Sequence, residues 1–264
     1  MSLIGKEIVE FKANAYHKGE FIEVTENPIK SVQFNTQEWL CYPAKVGSLI
    51  VYVYFHESFY ELGFALCNLF ELASDRDLRR KPDGIFLYGV PEENLRHLAD
   101  FPTVFYEDKT NDLFVGAVPR GNEFGYFGYL KKMILTLHNL RVMQKGHLPF
   151  HGAFVQILLK NGTQANVLMV GDTGAGKSET LEALRCLGDE YIKDLTIIAD
   201  DMGSLVIQDQ VVKAYGTEIG AFLRLDDLQP GYAFGQLDRA IIMNASKTNA
   251  RIVLPVTSYE NIIK

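Results

Sequence analysis

One glycine-rich segment has the residue types and spacing that bind polyphosphate. Glycine, four residues, glycine, lysine and then serine is the pattern of a phosphate-binding loop, and here it is filled by Gly171, Asp172, Thr173, Gly174, Ala175, Gly176, Lys177 and Ser178. In such a loop, backbone N–H groups and the start of the next helix face the anion. Lys177 can neutralise the outer phosphates, and the Ser178 hydroxyl can bind Mg²⁺.

The flanks of this segment agree with that interpretation. Residues 167–170 are Val-Leu-Met-Val, typical of a buried strand, and residues 179–187 have the pattern of a helix. The alternative is a glycine-rich turn between strand and helix that carries a solvated lysine. A strand before the loop and a helix after it favour the phosphate site.

Two adjacent carboxylates follow a second apolar strand, predicted over residues 195–199. Asp200 and Asp201 are expected to end this strand beside the loop, where one binds a metal ion and the other orders its water or acts as a base. The alternative is a polar strand end or a helix cap. The loop upstream favours the metal.

Four further residues are ambiguous when taken singly. Lys131 and Lys132 lie near the start of a helix predicted over residues 126–144, and neighbouring lysines there are most often solvated. His151 opens a strand, where an imidazole is usually packed or solvated. Arg251 begins another strand; arginine suits phosphate through its bidentate fork, although surface arginines are abundant.

Composition excludes several classes of function. The chain has 264 residues, 47% of them apolar, and a net charge of −7, which argues against a broad nucleic-acid interface. Cys41, Cys67 and Cys186 are odd in number and widely spaced, so we expect reduced, mostly buried thiols. The first ten residues are too charged for a signal peptide or a membrane span. These features predict a cytoplasmic protein without a membrane or nucleic-acid partner.

The order of elements predicts an α/β fold. Apolar runs and helical spacing predict strands over 48–56, 84–90, 103–106 and 113–118, and helices over 59–72 and 126–144. After residue 146 the pattern changes to hairpins, over 152–159 with 165–170 and over 204–207 with 211–215, followed by strands over 240–243 and 251–256. We therefore expect a soft domain boundary near residue 146.

Taken together, these motifs resemble ATP-dependent phosphoenolpyruvate carboxykinase. That family has a tyrosine-x-glycine-x-x-lysine-lysine segment, here residues 126–132, followed by a histidine, the phosphate-binding loop and paired aspartates. The segment from Tyr215 to Gly220 is similar to its glutamate-glycine segment, and Asn249-Ala250-Arg251 to its asparagine-threonine-arginine strand. The resemblance covers residues 126–264.

The resemblance implies a two-domain carboxykinase-like architecture. Residues 1–146 would form an N-terminal α/β substrate-side domain, and residues 147–264 a mixed-sheet P-loop domain that holds nucleotide and metal. The chain ends before the segments that in the family form the adenine pocket and the mobile lid. We therefore expect a fragment of a longer protein, truncated at the C-terminal end of its second domain.

The resemblance also implies roles for single residues. Lys132, His151 and Asp201 would surround Mn²⁺, whereas Lys177 and Ser178 would hold ATP and its Mg²⁺. Arg251 would contact the γ-phosphate, Lys131 and Tyr126 would face the enolate, and Asp200 would complete the catalytic set. The implied partners are ATP and a small acidic substrate. The implied reaction converts oxaloacetate and ATP to phosphoenolpyruvate, ADP and CO₂.

Two other functions stay open. Residues 1–125 contain no threonine-glycine-arginine-serine-proline segment, which in the carboxykinases grips the substrate carboxylate. His151-Gly152 and Gly176-Lys177-Ser178-Glu179 also resemble an HPr serine kinase/phosphorylase, in which a histidine and an aspartate activate a protein serine. The third possibility is a module that binds nucleotide without catalysis.

Overall fold

The computed structural model describes residues 21–101, 103–171, 175–186, 190–224, 241–243 and 251–255. Within these ranges the chain is mixed α/β, with three α-helices and fourteen strands in three sheets. Short 3-10 helices lie between them, at Pro28–Ser31, Glu57–Phe59, Leu66–Asn68, Asp77–Arg79, Glu92–Asn94 and Asn122–Phe124.

The first sheet has seven strands in the order β1-β6-β7-β5-β3-β2-β4. Their bounds are β1 Ile22–Glu23, β2 Trp39–Val46, β3 Leu49–His56, β4 Glu71–Leu72, β5 Gly84–Val90, β6 Val104–Asp108 and β7 Leu113–Pro119. The central strands β3, β5 and β7 are parallel, and β7 is buried at every position. Continuous burial of this kind is what parallel strands covered on both faces require.

Two helices precede the second sheet. They are α1, Tyr60–Ala65, and α2, Phe127–Gln144. Gly116 of β7 lets α2 approach closely, because a Cβ added there would lie 2.7 Å from Met133 Sδ. Leu130, Met133 and Ile134 of α2 are fully buried in a core shared with the first sheet.

Charged side chains fix the C-terminal end of α2 to this sheet. Arg141 makes a bidentate pair with Asp112 in the turn between β6 and β7, at 2.6 and 2.7 Å. Asp83, which is 7% exposed, accepts from Lys145 Nζ at 2.9 Å and from the Ile50 N–H at 3.0 Å. Arg141 Nε lies 3.5 Å from the same carboxylate.

The second sheet has the order β11-β10-β8-β9, and the third has the order β12-β14-β13. Their strands are β8 Leu148–Leu159, β9 Gln164–Val170, β10 Ile192–Gln208, β11 Val211–Gly216, β12 Gly220–Arg224, β13 Ile241–Met243 and β14 Arg251–Pro255. The helix α3, Lys177–Cys186, follows β9 and packs on β8 and β10 through Leu181.

Most predicted elements are confirmed, including β3, β5, the β6–β7 pair, α2 and both hairpins. The helix predicted over 59–72 is wrong in extent, because only Tyr60–Ala65 is α-helical and Glu71–Leu72 forms an edge strand. The strands β2 and β12 were not predicted.

Two further expectations are corrected. The strand predicted to end at Asp200 and Asp201 continues through both to Gln208, because β8 pairs with it on both sides of the carboxylates. Cys41 and Cys67 are free but exposed, so the prediction of buried thiols is wrong for them. The side chain of Cys186 lies outside the described part of the chain.

The hydrophobic core extends across the predicted boundary near residue 146. Val253 of β14 is buried with α2 and the first sheet, and the Asn68 side chain donates to the Val253 carbonyl at 3.1 Å. The Ile219 N–H donates to the Leu69 carbonyl at 2.8 Å. In the described ranges, no helix is long and apolar enough to cross a membrane.

Loss of the buried Asp83 carboxylate should destabilise the chain. Asp83→Ala leaves the Ile50 N–H without its acceptor and the cations of Arg141 and Lys145 with less compensation. We expect the free energy of unfolding in urea to fall by about 2–3 kcal/mol. The control is Asp100→Ala, because Asp100 is exposed. Its effect should stay within about 0.5 kcal/mol, and equal losses in both variants would contradict this assignment.

Candidate functional site

The register of the second sheet places the paired aspartates beside the start of the glycine-rich segment. Val170, Gly152 and Asp201 are consecutive partners across β9, β8 and β10, and Met169, Ala153 and Asp200 form the row before them. Neighbouring strands lie about 4.8 Å apart, so two steps across the sheet separate the backbones of Val170 and Asp201 by about 10 Å. Gly171 follows Val170 directly.

Asp200 belongs to the face of this sheet that α3 covers. Ala153 and Met169, its row neighbours, pack with Leu181 of α3 in one hydrophobic cluster. Burial and the charge of Asp201 raise the pKa of Asp200, and the positive charges of Lys131 and Lys177 oppose that shift. The carboxylate therefore lies within electrostatic range of the lysine in the glycine-rich segment.

Asp201 has an unusual backbone and a different set of contacts. Its φ is 125°, a conformation that residues other than glycine rarely adopt and that costs on the order of 1–3 kcal/mol. Opposite it stands Gly152, where a side chain would collide with the Met169 carbonyl. Backbone strain of this kind concentrates at functional sites, where surrounding contacts hold it in place.

Lys131 of α2 supplies the strongest of those contacts. Its Nζ donates to Asp201 Oδ2 at 2.6 Å and lies 2.9 Å from Glu218 Oε1. The residue is 8% exposed. Burial alone would lower the pKa of Lys131, but the charges of Glu218 and Asp201 outweigh burial and raise it. Lys131 is therefore a buried, protonated ammonium held between two carboxylates.

Glu218 is the second of these carboxylates, with a side chain that is 4% exposed. Burial raises its pKa to about 7, even though Lys131 lowers it. Its Oε2 atom has no hydrogen-bond partner among the described residues. Burial of a carboxylate oxygen without a partner is costly, so this side of the cluster suits a proton or a cation.

His151 approaches Asp201 from β8. Its Nε2 lies 2.9 Å from Asp201 Oδ1, and its side chain is 40% exposed. Imidazole nitrogen and carboxylate oxygen are both ligands for Mn²⁺, and the unsatisfied Glu218 oxygen adds negative charge nearby. These donors fit a divalent cation held from one side. Within the described ranges, no three His, Cys, Asp or Glu residues are grouped to enclose one.

The two adjacent lysines of α2 have opposite environments. Lys131 contacts Asp201, whereas Lys132, the lysine that the resemblance assigns to Mn²⁺, is exposed. No hydrogen bond or ion pair joins Lys132 to another described side chain. Successive residues of a helix are about 100° apart around its axis, so a single cluster can receive only one of the pair.

Tyr126 lies at the N-terminal end of α2, and its ring requires a glycine two residues later, at Gly128. A Cβ added at Gly128 would collide with the Tyr126 ring, so the ring packs where only glycine leaves room. The Tyr126 ring centroid is 6.2 Å from that of Phe222 on β12. This brings Tyr126 to the same end of α2 as Lys131.

The described part of the glycine-rich segment, Gly171 with Ala175 and Gly176, precedes α3. Gly176 has φ of 85°, which glycine adopts without strain. Lys177 Nζ donates to the Gly171 carbonyl at 2.6 Å. Three predicted loop residues, Asp172, Thr173 and Gly174, lie outside the described residues, as does the side chain of Ser178, the predicted Mg²⁺ ligand.

Arg251 joins the site from β14. Its guanidinium carbon lies 5.5 Å from the centroid of the Phe222 ring, and Lys131 Nζ lies 5.8 Å from the same centroid. Among described residues, Arg251 Nε is buried without a hydrogen-bond partner. The structure therefore brings Lys131, His151 and Asp201 together, and the Phe222 ring lies within 6 Å of both Lys131 and Arg251.

The sequence predicted no role for two residues of the cluster. Glu218 lies within the segment that resembles the family's glutamate-glycine segment, and no motif includes Phe222. The signal for Glu218 was the acidic residue after Gly216-Thr217, at the end of a predicted hairpin. Nothing local marks Phe222, because its importance comes from the pairing of β12 with β14.

A separate cleft lies on the first sheet. It has a volume of about 630 Å³, and its lining includes Lys30, Trp39, His97 and Arg120. None of its lining residues belongs to the Lys131 cluster. Arg120 lines this cleft and is not part of the Lys131 cluster.

The fold and the site define a mixed α/β chain with a buried lysine–carboxylate cluster beside a glycine-rich strand-to-helix turn. No protein-family model matches this chain, and no curated protein is significantly similar to it.

The opposite environments of the two lysines predict opposite effects on stability. Lys131→Met leaves Asp201 and Glu218 without their shared cation, so we expect the free energy of unfolding to fall by about 3 kcal/mol. Lys132→Met, at the exposed neighbour, should change it by less than about 0.5 kcal/mol. Urea unfolding of both variants at pH 8 measures the difference. Similar losses in the two variants would show that Lys131 is not the buried partner.

Proposed function

We propose that the chain is an ATP-dependent phosphotransferase of the phosphoenolpyruvate carboxykinase type, with a P-loop domain after residue 146. It would convert oxaloacetate and ATP to phosphoenolpyruvate, ADP and CO₂, in the cytoplasm. The observation that carries the proposal is the division of the paired aspartates. Asp201 contacts Lys131 and His151, while Asp200 lies on the face of the second sheet that α3 covers, and α3 begins at Lys177.

This division supports two neighbouring subsites. On one side, the glycine-rich segment and Lys177 would bind the phosphates of ATP. On the other, Lys131, His151 and Arg251 would contact a small acidic substrate through their positive charges. The sheet register keeps the backbones of Val170 and Asp201 about two strand spacings apart. Side chains that reach inward from both would have to hold the reacting atoms about 3–3.5 Å apart for direct phosphoryl transfer.

The implied metal ions are assigned to residues of this chain. His151 and Asp201 would hold Mn²⁺, and Asp200 with the Ser178 hydroxyl would hold the Mg²⁺ of the nucleotide. Bound divalent cations supply positive charge that stabilises an enolate and a transferring phosphoryl group. Lys132, which is exposed, has no part in this assignment.

The proposed reaction has two steps, decarboxylation and phosphoryl transfer. The C–C bond to the departing carboxylate breaks, its electron pair forms the enolate, and CO₂ leaves. The enolate oxygen then attacks the γ-phosphorus of ATP, and ADP leaves with the electrons of the broken P–O bond. Lys131, fixed by two carboxylates, stabilises the enolate oxygen, and Arg251 stabilises charge on the γ-phosphate. Tyr126 would orient the substrate from the N-terminal end of α2.

One observation favours a second candidate, an HPr-type protein serine kinase. His151 is 40% exposed and contacts Asp201, so this pair can accept the proton of a serine hydroxyl presented by another protein. The buried Lys131–Glu218 pair favours the small-molecule reaction instead, because a protein serine does not need a fixed cation for an enolate. Nucleotide binding without catalysis is the third outcome that an experiment must separate.

Calorimetric titration of the full chain with Mg²⁺-ATP tests the proposal, with and without Mn²⁺ and oxaloacetate, followed by an assay for phosphoenolpyruvate. We expect nucleotide binding that both additions strengthen, and product formation. Lys177→Ala should weaken ATP binding roughly tenfold to a hundredfold, because it removes a charged phosphate contact. Lys193→Ala, at an exposed lysine of β10, is the matched control and should bind as the wild type does.

The other outcomes distinguish the remaining functions. Nucleotide binding without any response to Mn²⁺ or oxaloacetate, and with phosphate transfer to a serine-containing protein, would favour the protein kinase. Binding without transfer to either acceptor would favour a nucleotide-binding module. Equal affinity of Lys177→Ala and wild type would refute the phosphate-binding loop itself.

A further inference from the structure

Phe222 lies where the third sheet meets α2. Its ring centroid is 5.1 Å from that of Phe127 and 6.2 Å from that of Tyr126, both at the start of α2. The ring also packs against the core that joins α2 to the first sheet. These contacts fix its position and orientation before any ligand binds.

The pairing of β12 with β14 places Phe222 beside Arg251. Phe222 is the partner of Val253, and Arg251 lies two residues before Val253 on the same strand. Residues two apart on a strand share a face, so Phe222 and Arg251 are diagonal neighbours on one face of the sheet. The 5.5 Å between the guanidinium carbon and the ring centroid agrees with this placement.

The same ring attracts the ammonium of Lys131, which lies 5.8 Å from its centroid. The face of an aromatic ring is electronegative, and a cation within about 6 Å of its centroid is stabilised. Lys131 has two carboxylate partners as well. Arg251 differs, because its buried Nε has no hydrogen-bond partner among the described residues and no described carboxylate pairs with it.

We propose that Phe222 is a positioning residue that holds the Arg251 guanidinium by the negative face of its ring. A carboxylate in its place would neutralise Arg251 and compete with an anionic ligand. An aromatic face orients the cation and leaves its charge available. This inference deepens the proposed function, since it assumes the anionic ligand proposed there, although the contact itself can be measured without ligand.

A series of fluorinated phenylalanines at residue 222 tests this role. Adding one, two and three fluorine atoms withdraws charge from the ring face and changes its shape little, so a cation–π contact weakens stepwise. The readout is the rate at which phenylglyoxal modifies Arg251, followed by peptide mass spectrometry without nucleotide. We expect this rate to rise with each fluorine, by roughly threefold to thirtyfold in total.

Three controls separate the ring face from general loosening. Arg141, which Asp112 holds far from this ring, should keep its modification rate throughout the series. The same fluorinated residues at Phe86, in the buried core of the first sheet, should leave Arg251 unchanged. Phe222→Leu should expose Arg251 to the reagent, and Phe222→Tyr should restore protection because tyrosine keeps the aromatic face.

The outcomes decide separately on this inference and on the proposed function. A constant Arg251 rate across the series, or equal rates in Phe222→Leu and Phe222→Tyr, would overturn the positioning role, whatever the chain binds. The affinity for Mg²⁺-ATP, measured on the same proteins, should fall in the same order as the Arg251 rate rises. A graded Arg251 rate across the series, together with no ATP binding by the wild-type chain, would support the positioning role and reject the proposed function.

Discussion

The site depends on one buried cation. Lys131 enters the interface between α2, the second sheet and the segment after β11, where Asp201 and Glu218 approach its ammonium within 2.6 and 2.9 Å. A lysine that is 8% exposed can stay charged only with such partners. Glu218 depends on the lysine in turn, because its side chain is 4% exposed and its carboxylate would be costly to bury alone. Asp201, Glu218 and Lys131 therefore hold one another in place, and these contacts stabilise the strained backbone of Asp201.

The sheet register explains how one dipeptide can serve two subsites. Neighbouring residues of a strand direct their side chains to opposite faces, so Asp200 and Asp201 meet different surroundings. Asp200 shares the face that α3 covers with Ala153 and Met169, whereas Lys131 and His151 contact Asp201. At Gly152, opposite Asp201, the Met169 carbonyl occupies the position that a side chain would need, so only glycine fits there. The continuous strand β10 thus separates the surroundings of Asp200 from those of Asp201.

Much of the fold was predictable from local patterns, and the exceptions have physical reasons. Apolar spacing gave α2 within one residue, and alternating runs gave β5 and the hairpins, because these elements are determined by their own side chains. The end of β10 was missed because two aspartates normally terminate a strand. Here Lys131 and His151, which are distant in sequence, pair with the Asp201 carboxylate. A local sequence pattern does not show such contacts. The strand β12 depends on its pairing with β14, 27 residues or more further along the chain.

The sequence predicted which residues belong to the site better than it predicted how they are arranged. The sequence marked Lys131, Lys132, His151, Asp201 and Arg251 as candidates. The structure brings Lys131, His151 and Asp201 into contact and places Arg251 on the Phe222 ring that Lys131 also approaches. Which of the two lysines turns inward depends on how α2 is rotated on the first sheet, and that rotation is set by Met133 against Gly116. Phe222 was missed because its contacts to both cations arise only in the folded chain.

The separation of the two aspartates is the central claim, and it is tested most directly by comparing Asp200→Asn with Asp201→Asn. Calorimetry would measure the affinity of each variant for Mg²⁺-ATP and, in separate titrations, for Mn²⁺ alone. We expect Asp200→Asn to weaken the affinity for Mg²⁺-ATP about tenfold or more and to leave the affinity for Mn²⁺ unchanged. We expect Asp201→Asn to weaken the affinity for Mn²⁺ and to leave that for Mg²⁺-ATP unchanged. Equal effects of the two substitutions on both ligands would contradict the division of the site by β10.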